Sequence, residues 1–174
     1  MIFAHAAIAV IGAHNLVQKD QRPAAITFAI GSVLPDLDLF WWFFVDQQTP
    51  HHLLWPHLPP VWIYMASIAL VASRLALWRR PAAAGAVKAF FAGVAIHLAL
   101  DIHAGGIALL WPWSDRLFYL FPVPNTFGNF VISGVLHWTF LLEIPILFAA
   151  GMILWRTMLK PTQLFFRRRS KNPV

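Results

Sequence analysis

The chain contains no cysteine. Disulfide frameworks, cysteine-ligated zinc and thiol nucleophiles are therefore excluded. It is also poor in charge. Asp, Glu, Lys and Arg make up 11% of its 174 residues, against about a quarter in an average soluble domain. A chain so short of charge does not cover a water-facing surface in the usual way. Acids are the scarcer sign, 7 against 13 Lys and Arg, for a formal net charge of +6. Familiar hydrolase signatures are missing as well: there is no Gly-rich phosphate loop, no G-x-S-x-G elbow and no H-E-x-x-H, and the serines have no triad spacing.

What is abundant is apolar. Hydrophobic residues reach 59%, with 9 Trp and 15 Phe, which excludes intrinsic disorder. Five apolar segments run Ile2–Val17, Ala24–Val45, Val61–Trp78, Ala82–Leu110 and Phe130–Met158. A membrane-crossing helix needs about 20 such residues. Pro59, Pro60, Pro81 and Pro112 punctuate the segments. The first carries His5 and His14 and has no basic residue before it, so it reads as a retained helix and not as a secretory signal. The pattern predicts an all-α integral membrane bundle of about five transmembrane helices. It forms one helical domain over residues 1–160, followed by a basic cytoplasmic tail over 161–174.

The cations set the orientation. Lys19 and Arg22 lie between the first two segments. Arg74, Arg79, Arg80 and Lys88 surround the join of the third and fourth. Arg156, Lys160, Arg167, Arg168, Arg169 and Lys171 end or follow the fifth. With five crossings all twelve fall on one side and only Arg116 on the other, which predicts N-terminus out and C-terminus in. Clusters between apolar runs argue for membrane lipids as the partner of this charge and against nucleic acid.

The histidines and acids follow a different rule. Seven of the eight histidines, all but His14, fall at the outer side of that topology. Asp36, Asp38, Asp101 and Glu143 lie at or near membrane depth. An Asp at the bilayer centre costs about 2.5–3.5 kcal/mol on insertion scales, and no Lys or Arg lies at the same level to pair with these four. A divalent cation would offset the cost, and histidine with carboxylate suits zinc, manganese or iron.

Spacing sharpens this. His97 and Asp101 form H-x3-D, one helical turn apart on one face, about 5–6 Å between Cβ atoms. They can share an ion, or Asp101 can orient His97; a polar pair that packs helices has the same spacing. Asp36 and Asp38 would face opposite ways on a straight helix, but Gly31 and Pro35 point to a broken one. Asp36 could also cap the restarting helix. His52 and His57 form H-x4-H in a proline-bounded loop with His51 and the interfacial Trp55. His5 sits at the outer end of its segment. His137 and Glu143 are six apart, off a common face, so one can ligate while the other orients, or Glu143 is structural.

In order, the pieces are His5, GSVLPDLD, HHLLWPH, HLALDIHAGGIALLWPWSD and HWTFLLE. This order resembles the YdjM/YbcI-like inner-membrane metal-dependent hydrolases of bacteria. The resemblance covers most of the chain. It implies a multi-pass protein of the bacterial inner membrane, hydrolytic activity, and a metal site formed by His5, Asp36, Asp38, His52, His57, His97 and Asp101; the positions of His51, His137 and Glu143 add them as candidate outer partners. One motif departs from the family. Where many members read H-R-G-x-T-H, this chain has Leu53, Leu54 and Pro56 between its histidines, so the basic, glycine and hydroxyl positions are gone. A looser likeness to helical zinc phospholipase C and P1-type nucleases rests on H-x3-D alone.

The expected function is hydrolysis of a phosphoester or ester, of a lipid or lipid-linked substrate, at a site holding a divalent metal, zinc first and manganese or iron next. Asp36 or Asp38, whichever does not ligate, is the expected general base. The alternatives are a non-catalytic metal-binding scaffold and a transporter or proton relay.

Overall fold

The computed structural model describes residues 3–19, 21–46, 48–72 and 81–169. The chain is all-helical: α1 (Ala4–Gln18), α2 (Arg22–Val33), α3 (Asp38–Phe44), α4 (Pro59–Ala72), α5 (Pro81–Ala104), α6 (Phe130–Leu136) and α7 (Ile144–Arg169). Short 3-10 turns at Leu34–Leu37, His51–Leu53, Trp55–His57 and Trp138–Leu142 join some of them.

Among the described residues three stretches are long and apolar enough to cross a membrane: Arg22–Phe44, Ala82–Ala104 and Trp138–Met158. The described part of α4 is apolar but shorter. Residues 73–80, which hold the end of the expected third span and the cations Arg74, Arg79 and Arg80, lie outside the described residues, as does Lys171. The stretch set apart as a tail from residue 161 continues the backbone of α7 as far as Arg169.

Two expected boundaries move, each for a local reason. The fourth apolar run stops at Ala104 instead of Leu110. Gly106 takes a φ of 89°, and its N–H reaches back to the Asp101 carbonyl at 2.7 Å, the left-handed closure that glycine makes without strain. The fifth run is not one helix. It breaks after Leu136, turns through Trp138–Leu142 and restarts at Ile144. Pro145 stands in the first turn of α7, where a missing N–H is harmless; inside a continuous helix its ring would clash with the preceding turn. At Leu34–Leu37, by contrast, the break expected around Pro35 is there.

The bundle is organised by a seam of small residues. α5 packs along α2, α2 along α1, and α1 against α7. A Cβ at Gly31 would overlap the Phe90 carbonyl, and one at Gly93 the Phe28 carbonyl and the Ser32 amide. Backbones this close are how helices associate in lipid, where burial of apolar surface gives no net drive. Thr27 ties the seam by donating its hydroxyl to the Ala86 carbonyl at 2.7 Å. Trp62, Val94, Leu98 and Ile107 form a buried cluster beside it. Outward, Ile26, Ile63, Phe148 and Met158 are exposed, the surface expected to face lipid.

This arrangement separates two ends. His5 opens α1, Asp36 and Asp38 follow α2, His97 and Asp101 lie in the last turns of α5, and Glu143 precedes α7. Lys19, Arg22 and Lys88 belong to the opposite ends of the same helices, and all three are exposed.

Candidate metal centre

The α2–α5 seam fixes the first imidazole. His97 is fully buried and its Nδ1 lies 2.8 Å from the carbonyl oxygen of Ser32. A carbonyl only accepts, so Nδ1 carries the proton and, in the neutral ring, Nε2 offers a lone pair. The second imidazole is fixed from the loop. Trp62 donates its indole N–H to the Pro56 carbonyl at 2.7 Å, anchoring the turn that presents His57. His57 Nδ1 lies 2.7 Å from Asp38 Oδ2, so its Nε2 is the free position of the neutral ring.

These two Nε2 atoms meet at 3.3 Å. Around them stand two carboxylates. Asp101 Oδ2 is 3.2 Å from His97 Nε2 and 3.5 Å from His57 Nε2. Asp36 Oδ1 is 3.7 Å from each. Zinc bonds to nitrogen and oxygen are about 2.0–2.2 Å, which places tetrahedral neighbours about 3.3–3.6 Å apart. The donor set and its spacing therefore fit a divalent ion. Lone pairs and carboxylates gathered this closely repel one another; a proton held among them relieves that repulsion, and binding an ion displaces it.

His5 lies over this group. Its ring stacks on His97 with centroids 3.8 Å apart and 21° between planes. Its Nδ1 is 3.1 Å from Asp36 Oδ2 and its Nε2 is 3.3 Å from Asp101 Oδ1. His5 owes its place to Glu143, whose Oε2 accepts the backbone N–H groups of Phe3 at 2.9 Å and Ala4 at 3.0 Å. These are donors of the first turn of α1 that no helix bond satisfies.

His52 approaches from the loop beside Gly105. A Cβ at that glycine would lie 2.7 Å from the His52 ring, so only glycine leaves room. His52 Nδ1 is buried with no hydrogen-bond partner among the described residues. Burial depresses the pKa of His52 well below its ordinary value and lowers that of His51, which leaves both rings neutral and able to ligate. At His57 burial works in the same direction but is outweighed by the hydrogen bonds to Asp36 and Asp38, which raise it to about 9.

Among the described residues three donor groups have ligand atoms all within 4.8 Å of one another: Asp36, His57 and His97; His5, His97 and Asp101; and His51, His52 and His57. Six of the seven residues expected to bind metal fall into these groups, together with His51. Asp38 does not. It supports His57 from behind and is absent from the cavity lining, so of the two expected bases only Asp36 faces the cavity. His137 is also elsewhere: it caps its own turn, with Nδ1 3.0 Å from the Thr139 hydroxyl. His14 and His103 belong to none of the groups.

A cavity of about 300 Å³ opens onto the cluster. His5, Asp36, His52 and Asp101 form its polar floor, and Asn125, Ser133 and Thr139 contribute another polar wall. Those last three carry no motif and no sequence signal marks them. The Ser32 carbonyl was equally invisible, because a backbone oxygen leaves no trace in residue identity. Gly105, in contrast, stands in the sequence beside the H-x3-D motif.

The chain matches the model of the YdjM inner membrane protein family over residues 1–164. No curated protein and no solved structure matches it. With a family match along nearly its whole length and three apolar helices long enough to span, the chain belongs to the YdjM inner membrane protein family and is a multi-pass protein of the inner membrane.

Proposed function

We propose that this protein is a metal-dependent hydrolase acting on a phosphoester or ester at the membrane. The observation that carries the reading is the meeting of His57 and His97 through their Nε2 atoms, 3.3 Å apart, between the carboxylates of Asp36 and Asp101. Each ring has its other nitrogen committed, to Asp38 and to the Ser32 carbonyl. Metal-binding histidines are oriented in this way, with a carboxylate or carbonyl behind each ring.

His57, His97 and Asp101 would hold the ion, with His5 and His52 as further donors, which leaves Asp36 as the aspartate in the cavity that does not ligate. An ion held there supplies Lewis acidity and lowers the pKa of water toward about 7. The chain supplies the rest. Asp36 is the most open of the three aspartates, its side chain 25% exposed against 3% for Asp38 and Asp101. It is the carboxylate a water in the cavity reaches, and it serves as general base. His5 Nδ1, 3.1 Å from Asp36 Oδ2, shares the proton Asp36 takes. Asp38 and the Ser32 carbonyl keep the two rings from turning. Serine and cysteine nucleophiles play no part.

The test uses the detergent-purified full-length chain. Elemental analysis is expected to find stoichiometric zinc, manganese or iron. Turnover of bis(p-nitrophenyl) phosphate or a p-nitrophenyl ester is expected to stop on chelation and return with added metal. Metal without turnover of either substrate class would leave a binding scaffold. A chain purified without metal that takes up none would point to a proton relay and end the proposal.

A further inference from the structure

The cavity has a second wall of different chemistry. Besides its polar residues it is lined by Leu39 and Trp42 of α3 and by Phe130 of α6, all half-buried. Trp42 and Phe130 meet edge to face, centroids 5.6 Å apart and planes at 88°. His51 touches both rings, at 6.5 Å and 5.8 Å. This pair bridges α3 and α6 across one side of the cavity.

The outer faces of those two short helices are apolar and unprotected. Phe40 and Trp41 on α3 are 65% and 55% exposed, and Leu136 on α6 is 65% exposed. That surface continues the apolar face of Arg22–Phe44, a membrane-crossing stretch of which α3 is the last part. The Trp42–Phe130 contact therefore has lipid-facing residues on one side and the His/Asp cluster on the other.

Charge points the same way. Among the described residues no Lys or Arg lines the cavity, while Asp36, Asp101 and Glu143 do. A soluble polyanion would find no Lys or Arg along this lining to pair with. An amphiphile needs none along its chain, and it gains from the apolar wall.

We propose that the substrate is a bilayer amphiphile that enters sideways between α3 and α6, its ester or phosphoester on the His/Asp floor and its hydrocarbon chain against Leu39, Trp42 and Phe130. The inference rests on the hydrolase reading for its chemistry but not for its binding. The Trp42–Phe130 pair is a door between lipid and cavity. Its rings part for one acyl chain, and Asn125, Ser133 and Thr139 face the polar head.

The test separates binding from chemistry. Full-length chain in detergent is incubated with dioleoylphosphatidylglycerol, and retained lipid is counted by native mass spectrometry. Metal content and bis(p-nitrophenyl) phosphate turnover are measured on the same samples. One adduct per chain is expected to survive. Phe130→Arg and Leu39→Arg are expected to weaken it about tenfold, because a charge in an apolar wall is costly, with metal content unchanged. Trp41→Arg, on the outer face of the same helix, is expected to keep the adduct and controls for folding of α3. Dihexanoylphosphatidylglycerol should displace the lipid, and glycerophosphoglycerol, the head alone, should not. Equal adducts in wild type and both apolar-wall variants, or displacement by the head alone, overturns the proposal even where metal-dependent turnover persists. Door-dependent binding without any turnover upholds the entry route and removes the hydrolase.

Discussion

The two ends of the bundle treat ionisable residues in opposite ways. At one end Lys19, Arg22 and Lys88 are exposed and need no specific partner; their effect is on which side of the membrane they stay. At the other, His5, Asp38, His57, His97 and Asp101 are buried, and each is held by groups from distant parts of the chain. Exposed charge acts through its sign and its number. Buried charge acts through geometry, because an unmatched group in low dielectric is expensive. Substitutions at the first end should therefore be forgiven by the site, and those at the second should not.

The strongest way to break the comparison is to remove a donor. His97→Ala is expected to lower metal affinity by more than about 100-fold, since loss of an outer partner alone costs about 10–100-fold. Lys88→Ala on the same helix should leave metal content unchanged; equal retention by both variants, measured by elemental analysis, means the cluster is not the binding site. Next comes the seam that sets the geometry. Gly93→Leu forces a side chain into the Phe28 carbonyl and should cost about 3 kcal/mol or more, read as a lower thermal midpoint with metal lost in parallel. Gly85→Leu, where a Cβ meets nothing within 4 Å, should cost almost nothing. If both unfold alike, close α2–α5 contact is not what holds the site.

Smaller effects resolve the supporting groups. Asp38→Asn keeps the size but removes the charge behind His57, and metal affinity should fall about 10–100-fold without loss of fold. Unchanged affinity would deny Asp38 its supporting role. Glu143→Ala leaves the Phe3 and Ala4 amides without their acceptor and should cost about 1–2 kcal/mol, whereas Glu143→Gln keeps an acceptor and should recover most of it in the same thermal denaturation. The smallest effect on the site belongs to the double change Lys19→Gln, Arg22→Gln. It should not alter metal content, but it weakens the orientation signal, which reporters fused after Val174 and within the His51–His57 loop would register. The intact chain should read inside and outside respectively.

Legibility followed the range of the interaction. The helices and the membrane class were readable because hydropathy is summed along a continuous stretch. Pro35 could be read as a helix break because a proline ring interrupts a helix locally. The interruption at His137–Glu143 is not legible from hydropathy, because the residues on both sides of it form one largely apolar run; Pro145 is its local mark, as a first-turn residue of α7. At the site, residue types and the one-turn spacing of His97 and Asp101 pointed to the cluster. The division of work between Asp36 and Asp38 was not legible, because two carboxylates two positions apart look alike until a 3-10 turn sends one to the cavity and the other behind His57. Glu143 was an ambiguous acid in the sequence; in the fold it is the acceptor that secures α1.

By itself the sequence determined that this chain enters a membrane as helices, which of its ends carry cations, and which side chains have the chemistry to gather round an ion. Those are properties of composition and local order. Only the tertiary structure decided that the Nε2 atoms of residues 40 positions apart face each other, that the other nitrogen of each ring meets Asp38 or the Ser32 carbonyl, and that polar and apolar walls share one cavity. Such facts depend on angles between helices and on ångström-scale approach through glycines, and no run of residues encodes them locally.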